Sequence, residues 1–92
     1  MRYFIDLSEI NNIEQLHDAL ESALPLPDYY GRNLDALHDA LTSMAVYYPS
    51  CEIIVNGSDN AIQGDAGSYI RKLRRMCDQL EEEEDNLFFF WI

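Results

Sequence analysis

Apolar residues recur along this chain in two alternating periods. Tyr3 to Leu7 form an apolar, aromatic run broken by one aspartate, which predicts a first strand. Ile13, Leu16, Leu20 and Leu24 then follow at helical spacing. Asn12 stands where a cap belongs and Gln15 three residues on, an asparagine form of the capping box. Pro25 and Pro27 stop that helix. Leu34, Leu37 and Leu41 fall at i, i+3 and i+7 and mark a second helix, capped by Asn33 and running to about Met44, before Tyr47-Tyr48-Pro49 ends it.

Glu52-Ile53-Ile54-Val55, closed by Asn56-Gly57, reads as a second strand buried on both faces. A small, polar stretch follows from Ser58 to Gly67, with a short helical turn around Asp59 to Gln63. Ile70, Leu73, Met76, Cys77 and Leu80 place a long helix over about Ala66 to Glu82. The acidic run Glu81 to Asp85 opposes that helix's dipole, so fraying is expected before Asn86. The tail Leu87 to Ile92 is far short of the roughly 20 residues of a membrane helix and reads as a last strand, at a sheet edge that needs cover. The order strand, two helices, strand, helical stretch, strand predicts an α/β fold: one domain over residues 1–92, with a three-stranded parallel sheet packed with three to four helices. Right-handed crossovers put the helices mainly on one side of the sheet and leave the strand order open.

The 92 residues include 17 acidic and 6 basic ones, a formal charge of -11. Such a surface repels nucleic-acid phosphates and anionic membranes and speeds encounter with a basic partner. Four of the basic residues crowd into Arg71, Lys72, Arg74 and Arg75, where pairing with surface carboxylates is the favoured expectation. The two cysteines, Cys51 and Cys77, are expected as buried small hydrophobes in a cytoplasmic protein.

Signatures of catalysis are thin. There is no Gly-rich phosphate loop, CxxC, HExxH or GxSxG. Asp59 to Asp65 resembles a calcium loop only superficially, lacking oxygen ligands at its third and fifth positions, so neither metal nor cofactor is expected. His17 reads as a surface or boundary residue. What stands out is the Pro/Gly-punctuated aromatic loop before the second helix, and that helix's polar face of Asp35, Asp39 and Thr42. Two aspartates four residues apart repel each other and favour a helix interior little, so folding gains little from them. Tyr29 and Tyr30 supply rigid amphipathic contact area, Gly31 lets the backbone turn, and the aspartates can accept charge-assisted hydrogen bonds. The bland alternative packs the tyrosines on the core and leaves the aspartates as a solvated face; patterning alone weighs the two equally.

The stretch Leu26-Pro27-Asp28-Tyr29-Tyr30-Gly31, Asn33-Leu34-Asp35-Ala36-Leu37, Asp39 and Leu41-Thr42 closely resembles the signature of the barstar family of intracellular ribonuclease inhibitors. Ile13-Glu14-Gln15-Leu16-His17 and the element order extend the likeness along the chain. The resemblance implies a helix and loop that plug the active site of a small basic ribonuclease in a 1:1 complex, the free chain being a monomer. It places Asp39 at the phosphate position, Asp35 against further basic groups and Tyr29 on the catalytic histidine. Tyr30, Gly31, Asn33, Leu34, His38, Thr42 and Met44 then lie at or near the contact. The family often carries tryptophans where this chain has His38 and Met44 and a small, φ-flexible residue where it has Ser43, which points to a different partner. The family's acidic residue on the last helix falls near Arg75 or Asp78. A protonated His38 beside Asp39 is further expected to compete with a partner. The alternative reading is an immunity or regulatory module aimed at another toxin or a non-nuclease protein; an enzyme built on Asp35 and Asp39 is a third.

Overall fold

The computed structural model describes the backbone of residues 1–92 and every side chain except that of Ile62. In chain order the elements are β1 (Arg2–Asp6), α1 (Ile13–Ala23), α2 (Leu34–Tyr47), β2 (Cys51–Asn56), α3 (Ser58–Ile62), α4 (Gly67–Glu83) and β3 (Leu87–Trp91). The sheet order is β1-β2-β3, with both pairs parallel. The α/β architecture read from the pattern is therefore the one observed, and β3 is an edge strand.

Local chemistry sets the helix starts. Asn12 accepts from the Gln15 amide at 2.8 Å, while Gln15 Oε1 accepts from the Asn11 amide at 2.7 Å, one residue earlier than a standard capping box. Asn33 accepts from the Ala36 amide at 2.8 Å. The second helix runs one turn past Met44, to Tyr47, because its last carbonyls find a partner from outside. Asn86 Nδ2 donates to Ala45 O at 2.7 Å and Tyr48 O at 2.9 Å, tying the end of α2 to the start of β3. Between β2 and α3 the chain turns through Gly57 at φ +81°. A Cβ there would lie 2.6 Å from the Ser8 backbone, so this position admits only glycine.

Ile5, Ile53, Val55, Leu87 and Phe89 of the sheet share one core with Leu16 and Leu20 of α1, Leu37, Leu41 and Met44 of α2, and Ile70, Leu73, Cys77 and Leu80 of α4. All three long helices thus pack on one face of the sheet. This corrects the expectation for β2. Cys51, Ile53 and Val55 are buried, whereas Glu52 and Ile54 are only partly so, because no helix covers their side. Both cysteines are free and buried, and desolvation raises both thiols above their ordinary range. No helix among the described residues is long and apolar enough to cross a membrane.

The basic cluster on α4 does not pair as expected. Among the described residues none of Arg71, Lys72, Arg74 and Arg75 makes a salt bridge. Asp78 is the single carboxylate three or four residues from any of them, and Arg74 instead stacks on the Trp91 ring at 4.9 Å.

Candidate functional site

The loop between α1 and α2 is held at its base by a buried polar knot. Tyr30 folds back on Pro27, its amide donating to the Pro27 carbonyl at 3.0 Å, and its ring turns inward. Its hydroxyl meets His17 Nδ1 at 2.6 Å, and the Tyr69 hydroxyl of α4 meets His17 Nε2 at 2.8 Å. Only 1 % of His17 is exposed, so the boundary position expected for it is corrected. A neutral imidazole carries one N–H and one lone pair, and a tyrosine on each side can satisfy both, which lets the ring be buried. Desolvation, then the nearby Arg32 charge, lowers the His17 pKa, with Glu21 and Asp18 opposing; burial raises those of Tyr30 and Tyr69.

Arg32 fastens the outside of the same loop. Its guanidinium donates to Glu21 Oε1 at 2.7 Å, Asp18 Oδ1 at 2.8 Å and the Glu14 carbonyl at 2.9 Å, all on α1. The residue holds φ at +54°, a left-handed conformation that costs a non-glycine residue free energy. The turn expected at Gly31 therefore takes its positive φ one residue later, at Arg32. Gly31 serves close packing instead, since a Cβ there would meet Ala36 Cβ at 3.3 Å.

With the loop so fixed, a hollow of about 600 Å³ opens between it and α2. Tyr29 and Tyr47 line its rim, 88 % and 81 % exposed. Tyr30, Ala40 and Met44 are the buried part of its lining, and Asp39 lies at its edge with a side chain 91 % exposed. The hollow gathers Tyr29, Tyr30, Gly31, Asp39 and Met44 of the residues picked out from sequence. Asn33, Leu34, Asp35, His38 and Thr42 lie outside it. Asp35 is exposed in the first turn of α2, Leu34 is half-buried against the core, and the Thr42 hydroxyl donates to the His38 carbonyl at 2.8 Å. Tyr30 and Met44 are wall rather than exposed contact.

Sequence reading passed over Tyr47, taken only as a helix terminator, and Arg32. The spacing of Ala36, Asp39, Ser43 and Tyr47 at i, i+3, i+7 and i+11 is the signal that places Tyr47 on the hollow's face of α2. The electrostatics are one-sided. Arg32 is spent on Asp18 and Glu21, while Asp35 and Asp39 face solvent without a cationic partner among the described residues. His38 Nδ1 stands 4.0 Å from Asp39 Oδ1, at the outer limit of an ion pair and dependent on protonation. No group of three metal-ligating side chains occurs among the described residues. The site can accept hydrogen bonds and stack on a flat ring.

The likeness to known proteins falls on this arrangement. A family model described as "Barstar (barnase inhibitor)" matches residues 1–92, the whole chain. Over 41 residues the chain is 58% identical to a Bacillus subtilis (strain 168) protein named "Putative ribonuclease inhibitor YrdF", a match covering 45% of this chain and 45% of that protein. A parallel α/β sheet carrying an aromatic loop and an acidic second helix, matched from end to end by that one model, makes this chain a member of the barstar family.

Proposed function

We propose that the chain inhibits a small, basic ribonuclease by seating the Tyr29–Thr42 loop and helix in its active site as a 1:1 complex, in the cytoplasm. The observation that carries this reading is Asp39, an almost wholly exposed carboxylate at the edge of an aromatic-rimmed hollow with no cation of its own beyond the distant His38. A nuclease that holds polyanionic RNA needs a cationic cleft. A carboxylate delivered on a rigid helix satisfies those cations as a phosphate does, with no bond to break. The hollow beside it accepts a flat side chain of the enzyme between Tyr29 and Tyr47, so charge and shape are read together. Free cysteines in a buried setting suit a reducing compartment. The barstar family supplies the enzyme class, and the exposed acidic face supplies the chemistry.

Asp35 meets further basic groups from the first turn of α2, and His38, beside Asp39 but outside the hollow, tunes which partner fits. Met44 acts differently: buried in the hollow's lining, it sets the shape of the hollow rather than touching the partner first. The test is titration of a small basic ribonuclease with the purified chain, followed by cleavage of a fluorogenic RNA. Activity falling linearly to an endpoint at one inhibitor per enzyme is the expected result. Full activity at tenfold excess across such nucleases, together with recovery of a non-nuclease partner from the producing cell, would establish the regulatory-module reading instead.

A further inference from the structure

The helices cover one face of the sheet and leave the other open. On that open face the register sets Phe4, Ile54 and Phe90 in one row across all three strands, with Phe88 beside them. Phe4 is 67 % exposed, Phe90 46 % and Phe88 39 %. Parallel sheets are ordinarily covered on both faces, so an aromatic row here is surface that folding alone does not use. Polar pairs close the row at either end. Arg2 Nη2 lies 3.5 Å from Glu52 Oε1, and Asn56 Nδ2 donates to Asp6 Oδ1 at 3.2 Å.

We propose that a second copy of the chain covers this face, packed sheet to sheet about a two-fold axis that runs along the Phe4, Ile54, Phe90 row. Such an axis lays the row on itself. It also exchanges the positions two residues before the row with those two residues after it, so Arg2 meets Asp6 of the second copy and Glu52 meets Asn56. Each lies about 6.6 Å from the axis along its strand, and stacked sheets stand about 10 Å apart, within reach of an arginine side chain. The other in-plane axis, along the strands, sets Arg2 against Phe88 and leaves Asp6 facing no cation. Charge complementarity therefore selects the first.

Net charge points the same way. A chain of charge -11 resists meeting itself, but Arg2, Glu52 and Asp6 leave this face close to neutral, while the excess carboxylates sit on α1, α2 and the end of α4. The patch spans three short strands, below the roughly 800 Å² per partner of a standard stable interface, so the dimer is weak and concentration-dependent. Because the long helices all lie on the opposite face, each copy keeps Asp39 and its hollow free. The free chain is then a bivalent species at high concentration, not the monomer expected from the resemblance.

Sedimentation equilibrium from about 10 μM to about 1 mM, the range suited to so small an interface, tests this, with thermal melts confirming that each variant is folded. The expected result is a mass rising from monomer toward dimer, with association weakened about tenfold or more by Phe4→Ser. Arg2→Asp and Asp6→Arg each weaken self-association, and mixing those two variants restores it, since each junction again carries opposite charges. Ribonuclease inhibition by Phe4→Ser stays at the parent level, which separates this proposal from the one above. A monomer at every concentration, or a dimer that Phe4→Ser leaves untouched, overturns the proposal. Failure of the folded mixture to associate overturns the axis. Should Asp6→Arg not fold, a homodimer unweakened by Arg2→Asp overturns the axis equally.

Discussion

Tyr29 and Tyr30 are neighbours in the chain and opposites in the fold. Tyr29 is 88 % exposed on the rim of the hollow, whereas Tyr30 is 9 % exposed, with its hydroxyl on a buried histidine. The same division separates Asp39, in solvent, from Arg32, tied to three acceptors on α1. The proposed inhibition assigns recognition to the rim, and stability sits in the knot beneath it. A rim can be solvated, repulsive and aromatic without unfolding the protein because the loop that carries it is fastened from below. This is pre-organisation: the ordering entropy of the loop is met by folding, and binding has less of it to meet.

The largest expected effect that could break this comparison is at Asp39. Asp39→Ala should weaken inhibition by roughly two to three orders of magnitude, as removal of one partner from a desolvated charge pair does, while the melting temperature stays level or rises slightly as repulsion from Asp35 is relieved. A melting temperature that drops by many degrees would move Asp39 from the rim to the scaffold. At His17 the effects exchange places. His17→Ala leaves two tyrosine hydroxyls without partners beside a cavity and should cost roughly 2 to 4 kcal/mol in urea unfolding, with the folded fraction still titrating the nuclease.

The adjacent tyrosines give the sharpest version at intermediate size. Tyr30→Phe orphans a buried imidazole nitrogen and should cost about 1 to 3 kcal/mol of stability, against a negligible change for Tyr29→Phe, whose hydroxyl has no partner among the described residues. Equal losses would erase the distinction. The pH dependence follows from His17. Its folded pKa lies below the ordinary 6.5, so the unfolded chain takes up a proton that the folded one refuses. The stability this neutral ring contributes is whole above about 6.5 and declines as pH falls through that value toward the folded pKa. Urea midpoints at pH 7.5 and 5.0 should differ more in the parent than in His17→Gln. The smallest effect belongs to Arg32→Ala: faster amide exchange at Tyr30 and Asn33 than in the parent, with little change in melting temperature, and Arg32→Gly milder in stability because glycine adopts the positive φ freely.

Much of this was legible because the signals are local. The leucine spacings, the two asparagine caps and the proline stops depend on residues within a turn of one another, and each helix begins where those signals put it. The acidic pair on α2 was legible for the same reason, since residues four apart on a helix share a face wherever that helix lies. The burial of His17 escapes sequence reading because a lone histidine beside an apolar stripe gives no sign of hydrogen-bond partners 13 and 52 residues away in sequence. Arg32 was passed over because its three acceptors line a different helix. The basic cluster on α4 has Asp78 as its one carboxylate at helical spacing, and Arg74 turns to the Trp91 ring of β3, a partner that local spacing does not reveal.

By itself, then, the sequence determined the alternation of strands and helices, the apolar stripes that must meet, and the aromatic loop and acidic helix face proposed to carry recognition, because short-range sterics and periodicity suffice to place all of these. Only the tertiary structure decided which of two adjacent tyrosines is buried, that Tyr47 completes the hollow, and that one face of the sheet stays bare. Burial is a property of what packs on the far side of a residue, and for this chain those neighbours come from α1, α4 and β3, brought together only when the sheet closes the core.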